Sequence, residues 1–344
     1  MRQTYGKCGE YHDLAISVGW PEEEWPRLQE VIWRESRCVA DSWNGADAGL
    51  TQINKVHSEW LSQMGWSHPN DMFNPEYNLT FPEVENKFIA GPTSELPIRI
   101  YRPHWHKPLP ALVFFCGGGW VLNSLDIYEQ SLRSLANKGQ FIVIAVNYQK
   151  APEHPFPIPF DDCYSTLLWV RDRADVLGIN PTQIGVGGDS AGANLAACVA
   201  LKARDTGDIK LAYQALIYPC NDPEMNYESA KTHGVGYNLS TKGMKTFWDL
   251  YLQKKTDRKN PYAAPIYAKD LKGLAPAIII TAEFDPLLDD GYNYAQLLKR
   301  DSVPTIYYEY PGMIHGFFSL AGVTPVAIEA QQRVADEINA LLVE

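Results

Sequence analysis

From Val84 to the C-terminus, short apolar runs alternate with longer stretches of helical periodicity. That alternation is the tightest constraint on the fold. Parallel strands need a crossover of a dozen or more residues between them, and a helix is the usual crossover. Residues 98–101, 111–115, 141–147, 183–187, 212–218, 277–281 and 305–310 read as strands. Residues 128–137, 161–177, 191–203, 292–301 and 325–342 read as helices. The expected architecture is α/β, with a mostly parallel central sheet and helices on its faces.

The alternation lapses between Asn221 and Gly273. That stretch holds one strong helical pattern, begun by Ser240 or Thr241, with Met244, Phe247, Trp248, Tyr251 and Leu252 on one face. It reads as an insertion of about 221–273 between two sheet strands, placed to cover something. A crossover helix lying on the sheet is the plainer alternative. The chain also changes character near Phe81-Pro82, since six of its ten tryptophans fall before that point. Residues 1–82 are expected to form a separate helical segment. Within it Trp25, Leu28, Val31 and Ile32 recur at helical intervals behind an acidic first turn of Glu22, Glu23 and Glu24.

Thirty basic against 41 acidic residues give a net charge of −11, which leaves no basic surplus for nucleic acid or an anionic membrane. No apolar run approaches the roughly 20 residues a membrane span requires, and the first residues lack the apolar core of a signal peptide. Of six cysteines, none forms a C-x-x-C or a Cys/His pair at zinc spacing. A cytoplasmic protein without metal is expected, and a homo-oligomer is compatible with the pattern.

The densest chemical signal is Gly188-Asp189-Ser190-Ala191-Gly192, a G-x-S-x-G motif between a predicted strand and a predicted helix. In that context the small flanking residues allow a sharp turn and hold Ser190 out above the sheet. The helix start behind it offers the Ala191 N–H to a developing oxyanion. A serine nucleophile needs a base and an orienting carboxylate, in the chain order serine, acid, histidine on this fold. Only His233 and His315 lie downstream. His315 follows the last predicted strand, where the site of an open α/β sheet belongs, whereas His233 lies in the irregular insertion. For the acid, Glu283, Asp285, Asp289 and Asp290 are all near the preceding strand; Asp285, followed by the rigid Pro286, is favoured. Gly117, Gly118 and Gly119 close a buried strand, and their N–H groups can approach a substrate oxygen.

Residues 83–344 resemble the hormone-sensitive-lipase family of α/β-hydrolases, in the branch with a G-D-S-A-G nucleophile motif. The matches are Cys116–Trp120 to the family's H-G-G-G-W, the segment YQKAPEHPFPIPFDDCY at 148–164, Gly188–Gly192, and the acid and histidine segments at 283–291 and 310–318. The resemblance implies hydrolysis of carboxylic esters, without cofactor, by a triad of Ser190, Asp285 and His315. It further implies oxyanion donors at Gly118, Gly119 and Ala191, with Gly117 shaping the loop. Cys116 stands where the family carries histidine, which puts the hydrogen bonding that positions the glycine loop in question. Trp120, Trp248, Ile314 and Phe317 are candidate walls of a substrate pocket. The apolar helix over 244–252 suggests a covered pocket for short or medium acyl chains.

The N-terminal segment is similar to something else. Trp33-Arg34-Glu35-Ser36-Arg37-Cys38 and Asp47–Asn54 look like a truncated lysozyme-like lytic transglycosylase domain. That resemblance implies Glu35 as an acid and a pairing of Cys8 with Cys38, while a helical remnant that packs on the hydrolase is the favoured reading. The hydrolase family that the rest of the chain resembles carries N-terminal helices that help form a cap, so the segment is expected to stand in for part of that cap. The rival functional readings are a cell-wall hydrolase using Glu35, an amidase or formamidase on the same triad, and a non-catalytic ligand-binding module. The presence of His315 argues against the last.

Overall fold

The computed structural model describes residues 83–103 and 107–343, together with two short strands, β1 (Asp47–Ala48) and β2 (Ile53–Asn54), which pair antiparallel. Contacts divide the chain into two units, Met1–Asn78 and Leu79–Glu344. The helix expected over 22–37, Glu35, Cys8 and Cys38, and all else read into the first 82 residues beyond those two strands, lie outside the described residues.

The second unit is built on eight strands: β3 (Glu83–Ala90), β4 (Glu95–Arg102), β5 (Leu109–Phe115), β6 (Ile142–Val146), β7 (Ile179–Asp189), β8 (Gln214–Ile217), β9 (Ala277–Phe284) and β10 (Thr305–Ile314). They lie in the order β10-β9-β8-β7-β5-β6-β4-β3, and only β4 runs against the rest. The central strands are buried on both faces, which explains their unbroken apolar runs. In β6, Ile142, Ile144 and Val146 enter one core and Val143 and Ala145 the other.

Helices α1 (Glu129–Gly139) and α8 (Pro325–Val343) cover one face through Leu132, Leu135, Val334 and Ile338. On the other face lie α2 (Ile158–Asp172), α4 (Ala191–Thr206) and α7 (Leu288–Arg300), which contribute Leu167, Leu195 and Leu298. The helix expected over 161–177 is interrupted. Arg173 leaves helical geometry with its guanidinium over the Trp169 ring, and α3 (Ala174–Leu177) is a separate turn closed by left-handed Gly178.

Strand β3 has no counterpart among the expected strands. It is an outer strand in which only Ile89 is buried, so its sequence, EVENKFIA, carries no apolar alternation to betray it.

Between β8 and β9 the chain forms α5 (Glu228–Thr232) and α6 (Thr241–Tyr251). Ser240 caps α6, its side chain accepting the Gly243 amide at 3.0 Å. The apolar face of α6 is inserted into the unit: Trp120 stacks on Tyr251 at 4.4 Å and meets Trp248 at 4.3 Å. All three rings are fully buried.

Candidate active site

Strand β7 ends at Asp189 and α4 begins at Ala191, so Ser190 alone makes the turn. It does so at φ 53°, ψ −122°, a conformation that costs a non-glycine residue about 1–3 kcal/mol. Neighbouring strands hold it there. Its amide donates to the Ile217 carbonyl at 2.8 Å, and its own carbonyl accepts from Asn194 at 3.1 Å. Packing behind the turn is equally tight: a Cβ on Gly192 would lie 1.8 Å from the Phe115 carbonyl oxygen.

His315 follows the end of β10. Its Nε2 lies 2.9 Å from Ser190 Oγ, and its Nδ1 lies 2.6 Å from Asp285 Oδ2. Asp285 sits just beyond β9 and is fully buried; its other oxygen accepts the Leu287 amide at 2.9 Å. Two contacts hold the histidine. Asn238 Nδ2 donates to its carbonyl at 3.0 Å, and the Tyr218 ring packs on it at 4.6 Å. A proton on Nδ1 satisfies Asp285 and leaves the Nε2 lone pair facing the serine hydroxyl. That arrangement can draw a proton from Ser190 and hold the resulting imidazolium beside a carboxylate.

The other acids and the other histidine are engaged elsewhere. Glu283 accepts the Gly312 amide at 2.7 Å, Asp289 accepts that of Ser229 at 2.8 Å, and His233 packs edge-on against Tyr237 and Phe284. Asp290 accepts the amides of Asn221 and Asp222 and the Tyr227 hydroxyl.

Burial pushes the Asp290 carboxyl up to about 7 from 3.8. Its folded form therefore holds a proton that the unfolded chain has already lost between those values. The contribution of Asp290 to stability must fall as pH rises across that window and level off above it. Asp290→Asn removes that contribution. The variant's thermal midpoint is expected to exceed the parent's by more at pH 8 than at pH 5; a gap that stays constant or narrows counts against the buried charge.

Gly117, Gly118 and Gly119 leave the end of β5 beside Ser190. Gly118 and Gly119 have φ of +108° and +61°, and a Cβ on Gly119 would fall 2.3 Å from the Phe247 ring of α6. The Cys116 thiol is free and buried, with no hydrogen bond to this loop among the described residues. Burial raises its thiol well above the ordinary value, so it is a neutral group packed in the core. The loop is held instead through its backbone. Tyr148 Oη donates to the Cys116 carbonyl at 2.7 Å, and the Gly117 amide donates to Asp189 Oδ1 at 2.8 Å.

Of the four candidate pocket residues, Trp120 and Trp248 pack on each other with no exposed surface. Phe317 is buried against Tyr218 and Tyr310, and Ile314 is half-buried next to His315. The sequence assigns no role to Asn123, Tyr128, Tyr218 or Asn238, and marks Tyr148 only as the start of the matched segment 148–164. Asp189 stands inside the nucleophile motif, where an acid in a buried turn is the available signal of a structural role.

A serine after β7, a carboxylate after β9 and a histidine after β10, all at the carboxyl edge of a mostly parallel sheet, define a hydrolase of the strand–nucleophile–helix class. A family profile described as the alpha/beta hydrolase fold matches residues 112–319. The chain is 36% identical over 244 residues to the carboxylic ester hydrolase LipN of Mycobacterium tuberculosis, covering 69% of this chain and 65% of that protein. It is 38% identical to carboxylesterase NlhH of the same species, over 70% of this chain and 76% of that one. Among solved structures, a hyperthermophilic esterase of the archaeon Pyrobaculum calidifontis superposes with a TM-score of 0.74 at 35% identity, over 85% of this chain and 99% of its own. The chain belongs to the α/β-hydrolase family, in its hormone-sensitive-lipase branch.

Proposed function

We propose that the protein hydrolyses carboxylic esters of short to medium acyl chain, with Ser190 as nucleophile, His315 as general base and Asp285 as the group that orients it. The reading is carried by the hydrogen-bond line from Asp285 through His315 to Ser190 Oγ, at 2.6 and 2.9 Å. His315 takes the serine proton as Oγ attacks the ester carbonyl. The tetrahedral oxyanion is received by the amides of Gly118, Gly119 and Ala191. His315 then protonates the departing alkoxide, and water repeats the sequence on the acyl-enzyme. The esterase names of the relatives support the same chemistry.

The size limit follows from α6. Phe247 presses on Gly119 while Trp248 and Tyr251 stack around Trp120, so the insertion crowds the space beside the oxyanion loop. Residues 221–273 thus act as a cap in this reading. No described helix is long and apolar enough to cross a membrane. The four described cysteines are buried free thiols, which supports a reducing compartment such as the cytoplasm.

A series of aryl esters of increasing acyl length tests the assignment. The value of kcat/KM is expected to peak at short or medium acyl groups and fall for long ones. Cleavage of anilides without cleavage of the matching esters would overturn it in favour of an amidase.

A further inference from the structure

The proposed oxyanion donors are useful only if their N–H bonds point at one place, and in a planar trans peptide that direction is fixed by the carbonyl at the other end. Each peptide unit of the loop is held in this way by a named group. The unit joining Cys116 to Gly117 is gripped at both ends, by Tyr148 Oη on its carbonyl and by Asp189 on its N–H. The unit joining Gly118 to Gly119 has its carbonyl taken by the amides of Leu122 at 2.8 Å and Val121 at 3.1 Å. Between them lies the unit whose N–H belongs to Gly118. Its carbonyl, that of Gly117, receives the side-chain amide of Asn123 at 3.3 Å.

Asn123 is itself constrained. Its backbone sits at φ +75°, in the left-handed region that few side chains adopt and asparagine tolerates. Its Nδ2 also approaches Tyr128 Oη at 3.4 Å, and that hydroxyl donates to Asp189 Oδ2 at 3.1 Å. Asp189 and Tyr128 are both buried. Asn123, Tyr128 and Asp189 therefore form a connected polar cluster against one face of Gly117.

We infer that Asn123, braced by Tyr128 and Asp189, is a positioning residue that aims the Gly118 N–H at the oxyanion. The inference rests on the esterase reading above. It adds a device by which this chain fixes its glycine loop with Cys116 in place of histidine. The cluster never touches the reacting atoms; it acts through the peptide plane it holds. Loss of an entire oxyanion donor costs about a hundredfold or more in turnover, and a donor merely mis-aimed should cost less.

Two variants test it. Asn123→Gly removes the side-chain amide while keeping a residue at ease with positive φ, and Tyr128→Phe removes only the hydroxyl. Both are assayed on a short aryl ester and against a trifluoromethyl ketone, whose hemiketal with Ser190 places an oxyanion on the same donors. Each variant is expected to lose about tenfold in kcat with KM within about twofold. The ketone's inhibition constant should rise in proportion to the loss of kcat/KM, with the thermal midpoint shifted by no more than a few degrees. A merely structural role would lower the midpoint and leave the ratio of ketone to substrate affinity untouched. Retention of parental kcat and ketone affinity in both variants would overturn the inference. A parent protein that neither cleaves the ester nor binds the ketone would instead sink the esterase reading, and this inference with it.

Discussion

Ser190→Ala is expected to lower ester turnover by at least about ten-thousandfold while the thermal midpoint moves by only a few degrees. The size of the first effect follows from covalent catalysis. Without Oγ there is no acyl-enzyme, and the oxyanion donors can act only on direct attack by water. The smallness of the second follows from the turn itself. Alanine occupies φ 53° no less readily than serine, and the contacts that fix the turn, Ser190 N to Ile217 O and Asn194 N to Ser190 O, are all backbone. His315→Ala should fall nearly as far, because the members of such a unit are not additive. Asp285→Asn should retain somewhat more activity, since it disturbs the tautomer and orientation of His315 but leaves the ring in place. Turnover by Ser190→Ala within about tenfold of the parent would remove Ser190 as nucleophile.

The largest expected effect on stability is at Gly192. A methyl group there would be placed 1.8 Å from the Phe115 carbonyl oxygen and 2.5 Å from its carbon. Both atoms are backbone of a central strand, so no side-chain rotation relieves the clash; β5 and α4 must separate. Overpacking of this kind costs roughly 3 kcal/mol, which for a unit of this size lowers the midpoint by about 6–12 °C. Because the same separation carries Ser190 away from the glycine loop, activity should fall with stability. Gly322→Ala, where an added Cβ would meet nothing within 4 Å, is the control and should melt with the parent. A Gly192→Ala midpoint within about 2 °C of that control would mean that α4 is not seated on β5 as described.

The parts of the fold that sequence made legible are those buried on both sides. Strands such as β6 and β9 are nearly uninterrupted aliphatic runs because both faces meet a helical layer, and no other local pattern competes with that reading. β3 escaped because an edge strand with one buried residue has no such imprint; its place comes from pairing with β4 alone. Around the site the same division holds. Ser190, Asp285 and His315 could be singled out because each stands in a local signature next to a strand end. Tyr128 and Asp189 meet across 61 positions, and Gly117 and Asp189 across 72, so nothing near either partner announces the bond. Spacing along the chain can nominate the group that reacts, whereas the groups that hold its surroundings are chosen by topology.

Helix α6 gives the molecule a mechanical property of its own. One face of a single helix carries Phe247 onto Gly119 and Trp248 and Tyr251 onto Trp120, so under the proposed reading the element that limits the acyl group is also the backing plate of the glycine loop. Selectivity and speed then share a component. Under that reading, a substitution that enlarges the pocket by thinning α6 should also loosen the glycine-loop amides, and broader substrate range should come at lower turnover unless a second change restores the backing. In a lineage of such enzymes, changes in this insertion and changes in the residues after the glycine loop should accumulate in pairs.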